Sequence, residues 1–161
     1  MDRIWAPWRS VYIGKDHGSA CIFCDKLTSD KDKENYVVYR GDKVFVLMNL
    51  YPYNNGHLMV APKRHAGDLA DLEQEELTEL FLVTQKMVGV LRTAFNPEGF
   101  NIGINLGKIA GAGVPGHLHI HIVPRWGGDT NFMPVIGDVR VISEGMDLTY
   151  QKIMEAMAKG Q

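Results

Sequence analysis

An α+β fold, an antiparallel sheet of about five strands with one long helix and a C-terminal helix, is predicted by three observations. Short runs of β-rich, often alternating sequence recur between Tyr36 and Pro62 and again between Asn101 and Pro124. One long stretch between them, after Asp71, switches to helical spacing. Three histidines occupy alternate positions, His117, His119 and His121, so that in a strand they share one face while Leu118, Ile120 and Ile122 share the other. With 161 residues, 45% of them hydrophobic, and no internal repeat, the chain is read as one domain over 1–161.

The elements follow in order. Residues 1–20, with Trp5, Pro7, Trp8 and Arg9, read as an irregular N-terminal arm whose large aromatics need a packing partner. Tyr36–Arg40 and Val44–Leu50 flank Gly41-Asp42, a hairpin signal. The turn-rich Tyr51–Gly56 leads into a short buried strand, His57–Pro62. In the long helix Leu77, Leu80, Phe81, Val88, Leu91 and Phe95 form the apolar face, Asp71 caps with Gln74, and Asn96-Pro97 ends it. Alternation over Asn101–Leu106 predicts Ile102, Ile104 and Leu106 inside, with Asn101, Gly103 and Asn105 on the other face. The loop Gly107–Gly116 then joins this strand to the histidine strand. In the C-terminal extension, 139–161, Val139–Ser143 reads as a strand and Leu148–Ala158 as a helix.

Charge and composition narrow the function classes. A formal net charge of −2 provides no global basic field, so nucleic acid is not an expected partner. No run reaches the ~18 apolar residues of a membrane span, and Met-Asp-Arg-Ile-Trp lacks a signal-peptide layout, so a cytoplasmic chain without a membrane partner is expected. The two cysteines are spaced Cys21-Ile-Phe-Cys24, which in a cytosolic chain points to metal ligation or redox exchange before a structural disulfide. No βαβ pattern surrounds them, which weighs against a thioredoxin-like pair.

Clustered imidazoles suit metal binding or phosphate transfer. The histidine segment brings no carboxylate nearby in sequence, whereas glycine-rich backbone, Asn105 and the imidazoles supply donors to phosphoryl oxygens and a nucleophile near neutral pH. Gly111-Ala-Gly-Val-Pro-Gly116 matches the dinucleotide fingerprint literally, but a strand follows where that motif needs a helix. Its glycines instead free backbone N–H groups to line an anion-binding concavity, or serve as a simple connector.

The run His117-Leu-His-Ile-His-Ile-Val matches the His-φ-His-φ-His-φ-φ signature and resembles the histidine-triad (HIT) superfamily of nucleotidyl hydrolases and transferases. Gly56-His57 with Leu-Met-Val-Ala-Pro-Lys-Arg-His65 and Asn105 extend the likeness over about residues 21–126. Trp-Ala-Pro-Trp-Arg, Asn-Leu-Gly, Ala-Gly-Ala-Gly and Val-Pro-Arg-Trp-Gly-Gly-Asp are most similar to the diadenosine-tetraphosphate phosphorylase-like branch. The resemblance implies the HIT fold, a homodimer, and cleavage of a dinucleoside polyphosphate at its α-phosphate through a covalent nucleotidyl-histidine, released by phosphate or water.

It also implies roles for the matching residues. His119 would attack, with His117 and His121 completing the catalytic triad and His57 at the phosphate or leaving group. Asn105 and the backbone near Gly113 would hold non-bridging oxygens, Asn49 would meet the ribose, and Trp126 would stack on a base or simply pack. Relatives with an early Cys-x-x-Cys bind a structural zinc, here through Cys21, Cys24, His65 and His117. Two departures stand out: Asn49 replaces an acidic residue of some relatives, and Gly113 a Ser, Thr or Gln. Hydrolysis of nucleoside phosphoramidates or other AMP conjugates, and a non-catalytic nucleotide-binding module, are the competing readings.

Overall fold

The computed structural model describes residues 21–130, 136–137 and 141–160. The arm over 1–20 lies outside the described residues, as do Val139 and Arg140 of the expected late strand; Val141–Ser143 form no strand. The elements are α1 (Ile22–Thr28), α2 (Asp32–Asn35), β1 (Val37–Arg40), β2 (Val44–Met48), β3 (Leu58–Pro62), α3 (Gln74–Phe95), β4 (Gly99–Ile104), β5 (Ile120–Arg125) and α4 (Met146–Lys159). All strand pairs are antiparallel, in the order β1-β2-β3-β5-β4. The five expected strands are present, and α1 and α2 are additions that their short, weakly periodic sequences did not signal.

Alternation divides the sheet into two faces. Val44, Val46, Leu58, Val60, Ile120 and Ile122 face α3 and α4, which seal the larger core with Leu80, Met87, Leu91 and Ile153. Phe45, Leu47, Met59 and Ala61 point the other way and are covered by Phe23 of α1, with Cys21, Ile22, Leu27 and Val114 packed around them. The side chain of Arg40 fastens α1: it donates to the main-chain oxygens of Leu27 at 2.7 Å and Ser29 at 2.8 Å and pairs with Asp32. Carbonyls at and just past the end of α1 thus find donors that the helix itself cannot supply.

Three details depart from the sequence expectation. Glu73, not Asp71, caps α3 and forms a capping box with Glu76, while Asp68 and Asp71 form a box on the preceding 3₁₀ turn. Phe81 is 56% exposed, because the buried stripe runs through Leu80, Val83, Thr84, Met87, Val90 and Leu91 and leaves Phe81 on its flank. Ile102 and Leu106 are exposed at 50% and 39%, because β4 is an edge strand whose outer side no described element covers.

Candidate active site and metal cluster

The histidine run is only partly strand. His117 lies in a bend and His119 in the unpaired chain before β5, which starts at Ile120, so the expected continuous histidine strand is shorter, while Leu118, Ile120 and Ile122 still share the core. His121 lies opposite Met59 of β3 and Gly103 of β4. The rings of His119 and His121 meet edge to face with centroids 4.7 Å apart.

Each imidazole is oriented by a fixed partner. The Nδ1 of His119 lies 2.8 Å from the main-chain oxygen of His117. A carbonyl can only accept, so Nδ1 carries the proton and Nε2 keeps its lone pair. His57 is set the opposite way round: the Tyr53 backbone N–H donates to its Nδ1 at 3.0 Å, which puts the proton on Nε2, 3.0 Å from Nδ1 of His121. His121 then accepts at Nδ1 and carries its own proton on Nε2. The pair beside each other therefore offers one ring nitrogen with a lone pair and one as a hydrogen-bond donor.

Burial reinforces the first of these roles. His119 is 6% exposed, and desolvation moves its pKa down, with the hydrogen bond to His117 acting weakly against that shift. Phe23 lies over it, with centroids 4.7 Å apart, and over His117 at 4.9 Å. Phe23 is fully buried, lying in sequence between Cys21 and Cys24, and no periodic signal in Cys-Ile-Phe-Cys could have marked it.

His117 itself turns toward the cysteines. Its Nε2–H donates to the Pro62 main-chain oxygen at 2.8 Å, leaving Nδ1 directed at Cys21 Sγ, 3.3 Å away, and Cys24 Sγ, 3.7 Å away. His65 Nδ1 lies 3.4 Å from Cys24 Sγ, and the four donor atoms all fall within 4.8 Å of one another. Around a tetrahedral zinc, with bonds of about 2.3 Å to sulfur and 2.0–2.1 Å to nitrogen, neighbouring S and N ligands stand about 3.6 Å apart. Two thiols, two imidazoles and a carbonyl holding the far nitrogen of one ligand fit that group. Burial first, then the neighbouring Cys21, holds the Cys24 thiol above its ordinary pKa, so a cation would displace a proton there. The ring of His117, expected among the catalytic groups, belongs to this cluster, and what reaches His119 is its carbonyl.

The remaining expected site residues are spread along the same face. Asn49 is engaged locally: its Oδ1 accepts from the Tyr51 N–H at 2.9 Å and its Nδ2 lies 3.4 Å from His57 Nδ1. Asn105 follows Ile104, whose register partner is Ile120. Gly113 is exposed in the loop, beside Val114, which packs into the Phe23 cluster. That loop turns through left-handed glycines, Gly107 at φ 78° and Gly111 at φ 92°. Trp126 is half-buried just past the far end of β5, its N–H held by the Asp129 carboxylate at 3.1 Å. Sequence reasoning missed Tyr53, whose backbone sets the His57 tautomer and whose ring stacks on His121 with centroids 5.8 Å apart.

An antiparallel five-stranded sheet carrying a histidine pair and an adjacent Cys₂His₂ cluster defines the class of protein. The family model for the HIT domain matches residues 30–128, and the chain belongs to that family. It is 43% identical over 152 residues to the AP-4-A phosphorylase of Mycobacterium tuberculosis, covering 89% of this chain and 78% of that one. A second relative is the asymmetrical bis(5′-nucleosyl)-tetraphosphatase of Schizosaccharomyces pombe, 42% identical over 89 residues, 55% of this chain and 48% of that one. Among solved structures, a zinc-bound histidine triad family protein from Mycobacterium smegmatis superposes with a TM-score of 0.71 at 28% identity, covering 87% of this chain and 94% of that one.

If the cluster is a zinc site, titration with zinc will saturate near one ion per chain and raise the melting temperature. Cys24→Ser and His65→Ala will each weaken that binding by more than about tenfold. Equal affinity in the variants and the parent protein would exclude these four residues as the site.

Proposed function

We propose that this chain cleaves a dinucleoside polyphosphate such as diadenosine tetraphosphate, by nucleotidyl transfer through His119 with inorganic phosphate as acceptor. The carrying observation is the opposed tautomers of His119 and His121, a bare Nε2 beside a protonated one. The likeness to the mycobacterial phosphorylase supports the substrate and the acceptor.

In the first step the Nε2 lone pair of His119 attacks the α-phosphorus. A P–N bond forms, the bridging P–O bond breaks, and the departing oxygen takes the electron pair and leaves as the ATP anion, its growing charge stabilised by a hydrogen bond from His121 Nε2–H, which keeps its proton. ATP leaves and AMP stays on the ring. In the second step an oxygen of hydrogenphosphate attacks the same phosphorus, the P–N bond breaks with its electron pair returning to His119 Nε2, and ADP is released, the phosphate's proton passing to solvent. Asn105 and the backbone N–H groups around Gly113 would hold the non-bridging oxygens as charge moves. His117 contributes its carbonyl and Asn49 a brace behind His57, with ribose contact a further use of Asn49; Trp126 would meet a base. The residues at the cluster fit a structural zinc, which would tie α1, and with it Phe23, to the loop carrying His117.

Two broader expectations belong with this reading. The exposed outer side of β4, with Ile102 and the neighbouring Leu106, offers an unpaired strand edge, which supports a homodimer. No helix among the described residues is long and apolar enough to cross a membrane, and we place this enzyme, one domain over 1–161, in the cytoplasm acting on free nucleotides rather than nucleic acid.

Incubation with diadenosine tetraphosphate and phosphate will yield ADP plus ATP, with an acid-labile adenylyl adduct that is absent from His119→Ala, whose kcat/KM falls by about 10⁴-fold. AMP plus ATP whether or not phosphate is present would make the protein a hydrolase, and binding without adduct or turnover would make it a binding module. Light scattering will return twice the chain mass, and Ile102→Lys will halve it; a monomeric parent protein would contradict the dimer.

A further inference from the structure

Beyond His121 the same face of β5 continues through Val123 and Arg125, about 7 Å and 13 Å further along the strand. There a cavity of about 260 Å³ opens, lined by Tyr53, Asn54, Asn101, Val123, Thr130 and the Arg125–Asp129 pair. Gly103 stands opposite His121, and a Cβ built on it would meet nothing within 4 Å, so there is open space beside the histidine pair at this point of the strand. Tyr53 joins the two, with one ring contact on His121 and a place in the cavity wall.

The chemistry of the cavity is polar and internally balanced. Arg125 binds Asp129 through two bonds, Nε at 2.6 Å and Nη2 at 2.9 Å, and holds that carboxyl down at about 2, so the pair stays ionised and carries no net charge at neutral pH. The third arm, Arg125 Nη1, donates to Asn101 Oδ1 at 2.6 Å. This fixes the Asn101 amide, whose Nδ2 has no hydrogen-bond partner among the described residues. Asn54 Nδ2 is spent on Pro124 O and Asp129. A neutral cavity with an aromatic wall and an oriented amide donor suits a nucleoside better than a phosphate, which would seek uncompensated positive charge. Its volume lies just below the roughly 300–1,000 Å³ of pockets that enclose whole small ligands, a size for one end of a longer molecule.

We propose that this cavity binds the nucleoside end of the departing nucleotide, so that the distance from the histidine pair measures the polyphosphate chain between the two nucleosides. The inference rests on the reading of His119 as nucleophile, and it assigns the half of the substrate that leaves. Asn101 Nδ2 would donate to an acceptor on the base or ribose, with the Tyr53 ring as the adjoining wall.

The test compares diadenosine tetraphosphate with adenosine 5′-tetraphosphate, whose leaving group is triphosphate and carries no nucleoside. In Asn101→Ala the preference for the dinucleotide, as a ratio of kcat/KM values, will fall about fivefold, the size expected for one lost hydrogen bond. Thr130→Phe, at an exposed position, fills the cavity without removing a buried contact and will lower the same ratio by more. An unchanged ratio in both variants, with folding confirmed by melting temperature, overturns the assignment. A parent protein that turns over neither substrate refutes instead the underlying functional reading.

Discussion

One hydrogen bond organises the site: the Nδ1–H of His119 on the main-chain oxygen of His117, 2.8 Å long. A backbone carbonyl neither titrates nor rotates, so it selects a single tautomer and ring orientation and leaves the other nitrogen a lone pair. For the bond to persist the carbonyl must not move, and the protein restrains it from both sides. The His117 ring is pinned by Pro62 O on one nitrogen and by the two cysteines on the other. Phe23 packs over both rings, with centroids 4.9 Å and 4.7 Å away. The same burial disfavours the protonated imidazole, so orientation and basicity have one structural origin.

The architecture explains why the Cys₂His₂ cluster and the histidine pair are neighbours. The helical face of the sheet supplies the bulk of the core through α3 and α4, which leaves the opposite face to a thin cover made of α1 and the glycine-rich loop. Seven residues of helix bury too little to hold themselves in place. Arg40 ties the end of α1 to the chain that follows it, and the four-residue cluster ties its beginning to His65 and His117. The cluster therefore lies next to His119 because both depend on the same short cover. Along β5 this face carries, in order, the cluster, His119, His121 and the neutral cavity at Arg125.

Much of this was legible in the sequence, and the exceptions have physical causes. Period-two histidines announced the site face, and β-rich runs located all five strands, because both signals are local. Periodicity says nothing of which strand lies at an edge, which is why Ile102 reads as core in sequence and is half exposed in the fold. The cap of α3 was ambiguous for another reason: Asp68/Asp71, Asp71/Gln74 and Glu73/Glu76 overlap at the same three-residue spacing, and only the buried Glu76, held by Arg64 at 3.0 Å, decides between them. The cysteines joined His65 and His117 by family resemblance rather than by spacing, and the distances now give that grouping a geometric basis. Phe23, Tyr53 and Arg40 act through partners far away in sequence or through backbone atoms, and neither leaves a pattern in the residue string.

The position of the His119 ring proton is read directly by imidazole nitrogen NMR. In a two-bond ¹H–¹⁵N correlation spectrum of the uniformly labelled protein at neutral pH, His119 should show a protonated Nδ1 and a bare Nε2, while His57 and His121 show the reverse. A His119 ring protonated at Nε2, or exchanging rapidly between tautomers, would contradict the account.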